Sequence, residues 1–140
     1  MADFDGGSGD DSYTGTSAPE VINGNGGRDT LNGAGGDDVI DGGDGDDTIT
    51  GGAGRDEIHG GAGVDKFIVN LGDFQAGEIY DGGADGATLY LPNEFIDLTT
   101  ATLTSITAID SISGVNALYN VQLTTAELAL FTNIRAGRSG

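Results

Sequence analysis

The sequence predicts an all-β chain wound as a parallel β-roll, a solenoid whose coils are short strands joined by tight turns. Two residue columns at one fixed spacing predict it. From Gly6 the chain reads GGSGDDSYT, GTSAPEVIN, GNGGRDTLN, GAGGDDVID, GGDGDDTIT, GGAGRDEIH and GGAGVDKFI, without insertion, to Ile68. The sixth place of these nonapeptides holds Asp11, Glu20, Asp29, Asp38, Asp47, Asp56 and Asp65. The eighth holds Tyr13, Ile22, Leu31, Ile40, Ile49, Ile58 and Phe67. Periodicity sustained in two columns at once marks a stack of identical supersecondary units.

Each part of the unit has a physical reading. Places one to six are Gly-rich and end on a carboxylate, which suits a tight turn with exposed carbonyls. Places seven to nine hold an apolar residue between two outer ones, a three-residue strand with one side chain facing in. The seventh place is Ser12, Val21, Thr30, Val39, Thr48, Glu57 and Lys66, mostly polar or β-branched. Two turns and two strands complete one coil in two repeats. The apolar column then stacks into a core, and the acidic column stacks along each edge. A single repeat cannot bury its own apolar residue, so neighbours must stack.

Charge narrows the function classes. The 140 residues carry 23 acidic against 5 basic side chains, a net charge of -18, which argues against a nucleic-acid partner. Acid in such excess reads either as a solvated, disordered chain or as a set of sites that cations neutralise. Residues 6–68 alone hold 11 Asp and 2 Glu against Arg28, Arg55 and Lys66, an excess of ten negative charges. Stacked at a strand spacing of about 4.8 Å, these carboxylates repel strongly. One apolar side chain per nine residues is too thin a core to offset that repulsion and the backbone entropy of the 27 glycines. The register therefore favours cation sites, and folding coupled to cation binding. There is no cysteine, so neither disulfides nor thiol chemistry contribute. No stretch resembles a signal peptide or reaches transmembrane length.

The repeat resembles the repeats-in-toxin (RTX) calcium-binding family, whose unit is GGxGxDxUx with U apolar, and six of the seven units carry Asp in the sixth place. The resemblance implies a right-handed parallel β-roll binding Ca²⁺. It implies that each ion lies between two loops of one edge, two repeats apart. The earlier loop gives carbonyls from places two and four, the later loop carbonyls from places one and three, and both give the sixth-place carboxylate. Carried over, one edge holds Asp11, Asp29, Asp47 and Asp65 and three sites. The first uses the carbonyls of Gly7, Gly9, Gly24 and Gly26; the second those of Asn25, Gly27, Gly42 and Asp44; the third those of Gly43, Gly45, Gly60 and Ala62. On the other edge Asp38 and Asp56 make a fourth, with Ala34, Gly36, Gly51 and Ala53. Glu20 stands apart, because its repeat has Glu for Asp, a stiffening Pro19 and no glycine at places two and four. Past Ile68 the loop pattern stops, and Asp73 is the residue nearest to extending the second edge. Four ions return eight charges, and five cancel the excess.

The flanks complete the organisation. Asp3-Phe4-Asp5 fits places seven to nine of an earlier repeat, so residues 1–5 read as its tail and the chain as part of a longer one. Residues 69–140 read as a β-rich cap. Within it, Gly82 to Leu89 is a worn repeat with Ala87 in the sixth place. Leu89–Leu91, Phe95–Leu98, Leu103–Ile109 and Leu118–Leu123 are strand-like. Thr124-Thr125-Ala126-Glu127 is a capping box that opens a short helix over about 125–131. Residues 137–140 read as a cloning remnant. Catalysis has no constellation: the one histidine, His59, sits at an outward ninth place, and HExxH, a P-loop and a closed EF-hand loop are absent. The expected function is a calcium-folded structural module of a larger protein, secreted to the extracellular space by the type I route that the resemblance implies. The alternative is a calcium-dependent module binding polysaccharide or a cell surface. Exposed aromatics would favour the alternative, but Tyr80, Tyr90 and Tyr119 are each expected in the core.

Overall fold

The computed structural model describes residues 3–70, 72–91 and 96–111, together with 121–122 and 133–134. The strands run in chain order β1 (Asp3–Asp5), β2 (Ser12–Thr14), β3 (Val21–Asn23), β4 (Thr30–Gly35), β5 (Val39–Asp44), β6 (Thr48–Ala53), β7 (Glu57–Ala62) and β8 (Asp65–Ile68) through the repeats. They continue as β9 (Ile79–Asp81), β10 (Ala87–Leu91), β11 (Ile96–Asp97), β12 (Thr102–Thr104), β13 (Ile106–Ser111), β14 (Val121–Gln122) and β15 (Asn133–Ile134). No helix occurs among the described residues, and the expected one over 125–131 lies outside them, as do Tyr119 and residues 137–140.

From β1 to β10 successive strands alternate between two parallel sheets, which is what one coil per two repeats requires, and β11 pairs with β14 in a third. One sheet has the order β1-β3-β5-β7-β9-β12; the other has β15-β13-β10-β8-β6-β4-β2. Through the repeats the register is an offset of 18 residues: Phe4 pairs with Ile22, Ile22 with Ile40, Tyr13 with Leu31 and Leu31 with Ile49. The apolar column becomes the core. Ile22, Leu31, Ile40, Ile49, Ile58 and Phe67 are all buried, and Tyr80, Leu89, Leu103 and Ile109 prolong the file into the cap. At the first coil Phe4 stacks on Tyr13, ring centroids 4.4 Å apart, and both are half-buried.

Beyond β8 the pairing offset becomes 22, because Glu57 pairs with Ile79 and Asp65 with Ala87. A single four-residue insertion between β8 and β9 therefore breaks the sequence period without breaking the stack. Tyr80 lands in the core as expected. Tyr90 does not: Leu89 fills the inward eighth place of the worn repeat, so strand alternation turns Tyr90 outward, where it is half-buried.

The turns explain the glycines. From the third repeat to the seventh, place two takes a left-handed backbone, with φ near +100° at Gly43, Gly52 and Gly61. Asn25 and Ala34 are held in the same region at φ 71° and 69°. Asn tolerates it, and its amide donates to the Asp5 carboxylate at 2.9 Å and the Gly6 carbonyl at 2.8 Å. Ala34 has no such compensation. Ala34→Gly should stabilise the fold by about 1 kcal/mol, the strain removed exceeding the unfolded-state entropy that Gly adds. A higher thermal midpoint in calcium checks this, and an unchanged or lower midpoint contradicts it.

Candidate metal centre

The sixth-place carboxylates enter the structure just before each strand and line its two edges. Asp11, Asp29 and Asp47 precede strands of one sheet and Asp65 opens another strand of it, while Glu20, Asp38 and Asp56 precede strands of the other. Apart from half-exposed Asp11, all are essentially buried.

Each carboxylate reaches back one coil. Asp29 Oδ1 accepts the Asp11 N–H at 2.8 Å, Asp47 Oδ1 the Asp29 N–H at 2.7 Å, and Asp65 Oδ1 the Asp47 N–H at 3.0 Å. On the other edge Asp38 accepts from the Glu20 N–H at 2.9 Å and Asp56 from the Asp38 N–H at 3.0 Å. One oxygen of each side chain is thus spent on the backbone. The other oxygen of Asp29, Asp38, Asp47 and Asp65 is buried with no hydrogen-bond partner. Four orphaned carboxylate oxygens in one small domain are far from ordinary, since buried polar atoms nearly always find a partner.

Carbonyl oxygens converge on the same places. A Cβ added at Gly24 would collide with Asp29 Oδ2 and the Gly42 carbonyl oxygen. Gly33 stands in the same relation to Asp38 and the Gly51 carbonyl, and Gly42 to Asp47 and the Gly60 carbonyl. First-place glycine therefore leaves room beside a pair of oxygens that carry no proton between them. Other expected carbonyls already accept one backbone bond. Gly7 O accepts from Gly26 N and Asn25 O from Asp44 N. The carbonyls of Asp44, Ala53 and Ala62 accept from the N–H groups of Gly27, Gly36 and Gly45. A carbonyl has two lone pairs, so each retains one. Gly9 lies in the loop after Gly7, and Gly43 lies in β5 beside Asp44.

The ends of the array differ. Asp11 Oδ2 accepts the N–H of Gly7 in its own loop at 2.6 Å. Glu20 spends both oxygens on Thr16, one on the N–H at 2.9 Å and one on the hydroxyl at 3.0 Å. Its longer side chain folds back onto its own loop instead of presenting a free oxygen. Asp73 caps a local turn, accepting the Asn70 N–H at 3.2 Å. The slot after Asp56 belongs to Glu78, which is buried and precedes Ile79 as Asp56 precedes Glu57. Glu78 is likewise closed, bonded by the Gln75 N–H at 2.8 Å and by the Tyr80 hydroxyl. Its signal lay in the sequence, because Glu78-Ile79-Tyr80-Asp81-Gly82-Gly83 repeats the logic of Asp56-Glu57-Ile58-His59-Gly60-Gly61. The four-residue insertion hid it.

A second acidic column also escaped the sequence reading. Fifth-place Asp10, Asp37 and Asp46 accept the N–H of Arg28, Arg55 and Val64, the fifth residue two repeats on, at 2.9 to 3.0 Å. These exposed carboxylates stitch loops together without using their second oxygen on the backbone. The outward His59 contacts Glu57 at 3.0 Å and Asp81 at 3.8 Å on the sheet surface.

Electrostatics oppose this arrangement in the bare protein. Burial pushes the carboxyls of Asp38, Asp47 and Asp56 up to about 6, against the relief of their backbone hydrogen bonds, and neighbouring acids add to the rise. Asp65 is raised for the same reason. Glu78 is raised to about 7, chiefly by burial. The donor set is all oxygen, anionic and carbonyl, with no nitrogen or sulfur, and four of its oxygens lack a proton donor. Such a set fits a hard divalent cation of calcium's size and flexible coordination.

Comparison with known families agrees. A model of the RTX calcium-binding nonapeptide repeat, four copies long, matches residues 5–40, 14–49 and 41–73. No curated protein and no solved structure matches the chain.

Proposed function

Since residues 5–73 belong to the RTX calcium-binding nonapeptide repeat family, we propose that the chain is a calcium-folded β-roll module serving a larger, secreted protein as a structural element. The observation that carries the reading is the set of four buried, unpartnered oxygens on Asp29, Asp38, Asp47 and Asp65. The carbonyls of Gly42, Gly51 and Gly60 lie beside those of Asp29, Asp38 and Asp47 and nominate three inter-loop sites, completed by Asp47, Asp56 and Asp65. Asp11 Oδ2, beside the Gly24 carbonyl, makes a fourth with Asp29 after giving up its bond to Gly7. Glu20 and Glu78 close the ends of their edge with hydrogen bonds from their own loops, which supports a count of four over five. Bound Ca²⁺ supplies positive charge and coordination where the chain has only acceptors.

The functional consequence follows from the charge. At low calcium the buried acids oppose the roll, and at the millimolar calcium outside cells they are neutralised. Export in an unfolded state and folding after export, by the type I route, is the use we infer for that difference. We read the module as non-catalytic, because its buried carboxylates are committed to backbone N–H groups and to the proposed cation sites.

Magnesium should not substitute. Mg²⁺ needs near-octahedral geometry at about 2.1 Å and sheds water reluctantly, whereas these sites are built largely of carbonyls on a fixed strand spacing. Titrating the calcium-free chain with each metal tests the proposal. The far-UV signal of folding should appear with Ca²⁺ and not at the same concentration of Mg²⁺, and equal midpoints would refute the carbonyl-built site.

A further inference from the structure

We propose that Asn25-Gly26, together with Asn23-Gly24, is a site of spontaneous deamidation that the calcium-free chain exposes and the folded roll closes, which limits how long the chain can wait before it folds. The inference rests on the calcium-folded reading and adds a covalent consequence to it. Three of the eight asparagines precede glycine, namely Asn23, Asn25 and Asn32, and all lie in the second and third repeats. Glycine has no Cβ, so in an unfolded chain its amide nitrogen comes freely within reach of the preceding side chain. The Gly26 nitrogen attacks Asn25 Cγ, a new C–N bond forms as the Cγ–Nδ2 bond breaks, and Nδ2 leaves as ammonia with the proton of the Gly26 amide. Water then opens the succinimide at either carbonyl, giving aspartate or an isoaspartyl link, with no change of oxidation state.

The roll withdraws the reactants. The Gly26 N–H donates to the Gly7 carbonyl at 3.1 Å and the Gly24 N–H to the Asp41 carbonyl at 2.8 Å, so both nucleophiles are held in bonds between coils. The Asn25 amide, though exposed, is held by the Asp5 carboxylate at 2.9 Å and the Gly6 carbonyl at 2.8 Å. These four bonds join one coil to the next, so none outlasts the stack. Asn32 is tied only locally, its Oδ1 accepting the Ala34 N–H at 2.9 Å.

The products are wrong for the fold. A carboxylate at position 25 faces the Asp5 carboxylate and the Gly6 carbonyl, two acceptors, where the amide now donates. A carboxylate at position 23 stands between Asp5 and Asp41, its register partners on either side, and makes three acids in a row across adjacent strands. An isoaspartyl link lengthens the backbone in the very loop whose Asn25 carbonyl accepts the Asp44 N–H at 2.8 Å. Asn32 lies between Thr14 and Thr50, so a charge there meets no acid across the strands. A chain that deamidates at position 23 or 25 before it meets calcium therefore folds less readily afterwards.

Incubation in chelator, in calcium and in urea, in water enriched in heavy oxygen, tests this, with the label located by mass-spectrometric peptide mapping. Chelator and urea should load label at Asn23 and Asn25 but not at Asn70, which precedes leucine. Calcium should slow the loading about tenfold or more. Gly26→Ala, whose added Cβ meets nothing closer than 3.8 Å, should slow loading at Asn25, leave Asn23 unchanged in chelator, and still fold in calcium. Asn25→Asp, which reproduces one product, should need more calcium to fold. Far-UV spectra of the same samples separate the two readings: a chain that is folded in chelator breaks the calcium reading, while label confined to urea still supports closure by the fold. The proposal is overturned by equal loading in calcium and urea, by no loading at Asn25 in urea, by undiminished loading at Asn25 in Gly26→Ala, or by an Asn25→Asp that folds at the same calcium as the unsubstituted chain.

Discussion

In chelator at neutral pH the chain is expected to lose most of its β structure, and to regain it in millimolar Ca²⁺. The reason is local. Asp38, Asp47, Asp56 and Asp65 are buried, carry raised pKa values and lie one coil from another carboxylate. The core that must hold them is one apolar residue wide. Protons should partly replace the metal. An unfolded Asp titrates near 3.9, whereas three of these titrate at about 6 in the fold. The folded state thus binds the proton more tightly, so its ionisation penalty is full above pH 6 and is relieved as pH falls towards 4. In chelator, lowering the pH from 7 to about 4.5 should increase the far-UV β signal. A spectrum already folded in chelator at pH 7, or one that loses structure on this acidification, would contradict the account.

The second large effect separates two residues of identical sequence rank. Asp47→Ala should be far more damaging than Asp11→Ala. Asp47 Oδ1 holds the Asp29 N–H, its own N–H is held by Asp65, and its second oxygen faces the Gly60 carbonyl without a partner. Removing it orphans a buried N–H, at about 1–3 kcal/mol, and strips a ligand from the middle of the stack. Asp11 is half-exposed at the first coil, and its Oδ2 is bonded to its own loop. Both changes relieve like-charge repulsion in the calcium-free chain, more at buried Asp47 than at Asp11, but the lost ligand and the orphaned N–H outweigh that relief. Because coils touch only their neighbours, loss of a central site splits the array, whereas loss of an end site frays it. We expect Asp47→Ala to raise the calcium midpoint for folding about tenfold or more, equivalent to roughly 1.4 kcal/mol, and Asp11→Ala to raise it by a small factor. Isothermal titration of both variants reads the difference, and equal losses would show that position along the edge does not matter.

Much of this was legible because the repeat is its own alignment. The sixth and eighth columns placed every buried Asp and every core residue from Ile22 to Phe67, and Phe4 fell into the core file as its spacing required. What was not legible depended on insertion or on side-chain length. Glu78 occupies a sixth place that a fixed nine-residue count cannot reach. Glu20 was set apart by its own repeat, but the bonds that its extra methylene lets it make to Thr16 were not foreseen. Tyr90 was assigned to the core on hydrophobicity, although Leu89 beside it fixes the inward place. The fifth-place stitching by Asp10, Asp37 and Asp46 needs the 18-residue neighbour in space, and a column of mixed Asp, Arg, Pro and Val does not announce it.

The central claim is that calcium binding and folding are one event at sites built on the orphaned oxygens of Asp29, Asp38, Asp47 and Asp65. A single calcium titration of the chelated chain tests it most directly, with bound ion counted by equilibrium dialysis and β structure followed by far-UV circular dichroism on the same samples. The account predicts coincident curves that saturate together, at about four ions, one for each of the pairs Asp11–Asp29, Asp29–Asp47, Asp47–Asp65 and Asp38–Asp56. A β signal that saturates before calcium binds, or calcium that binds without changing the signal, would contradict it.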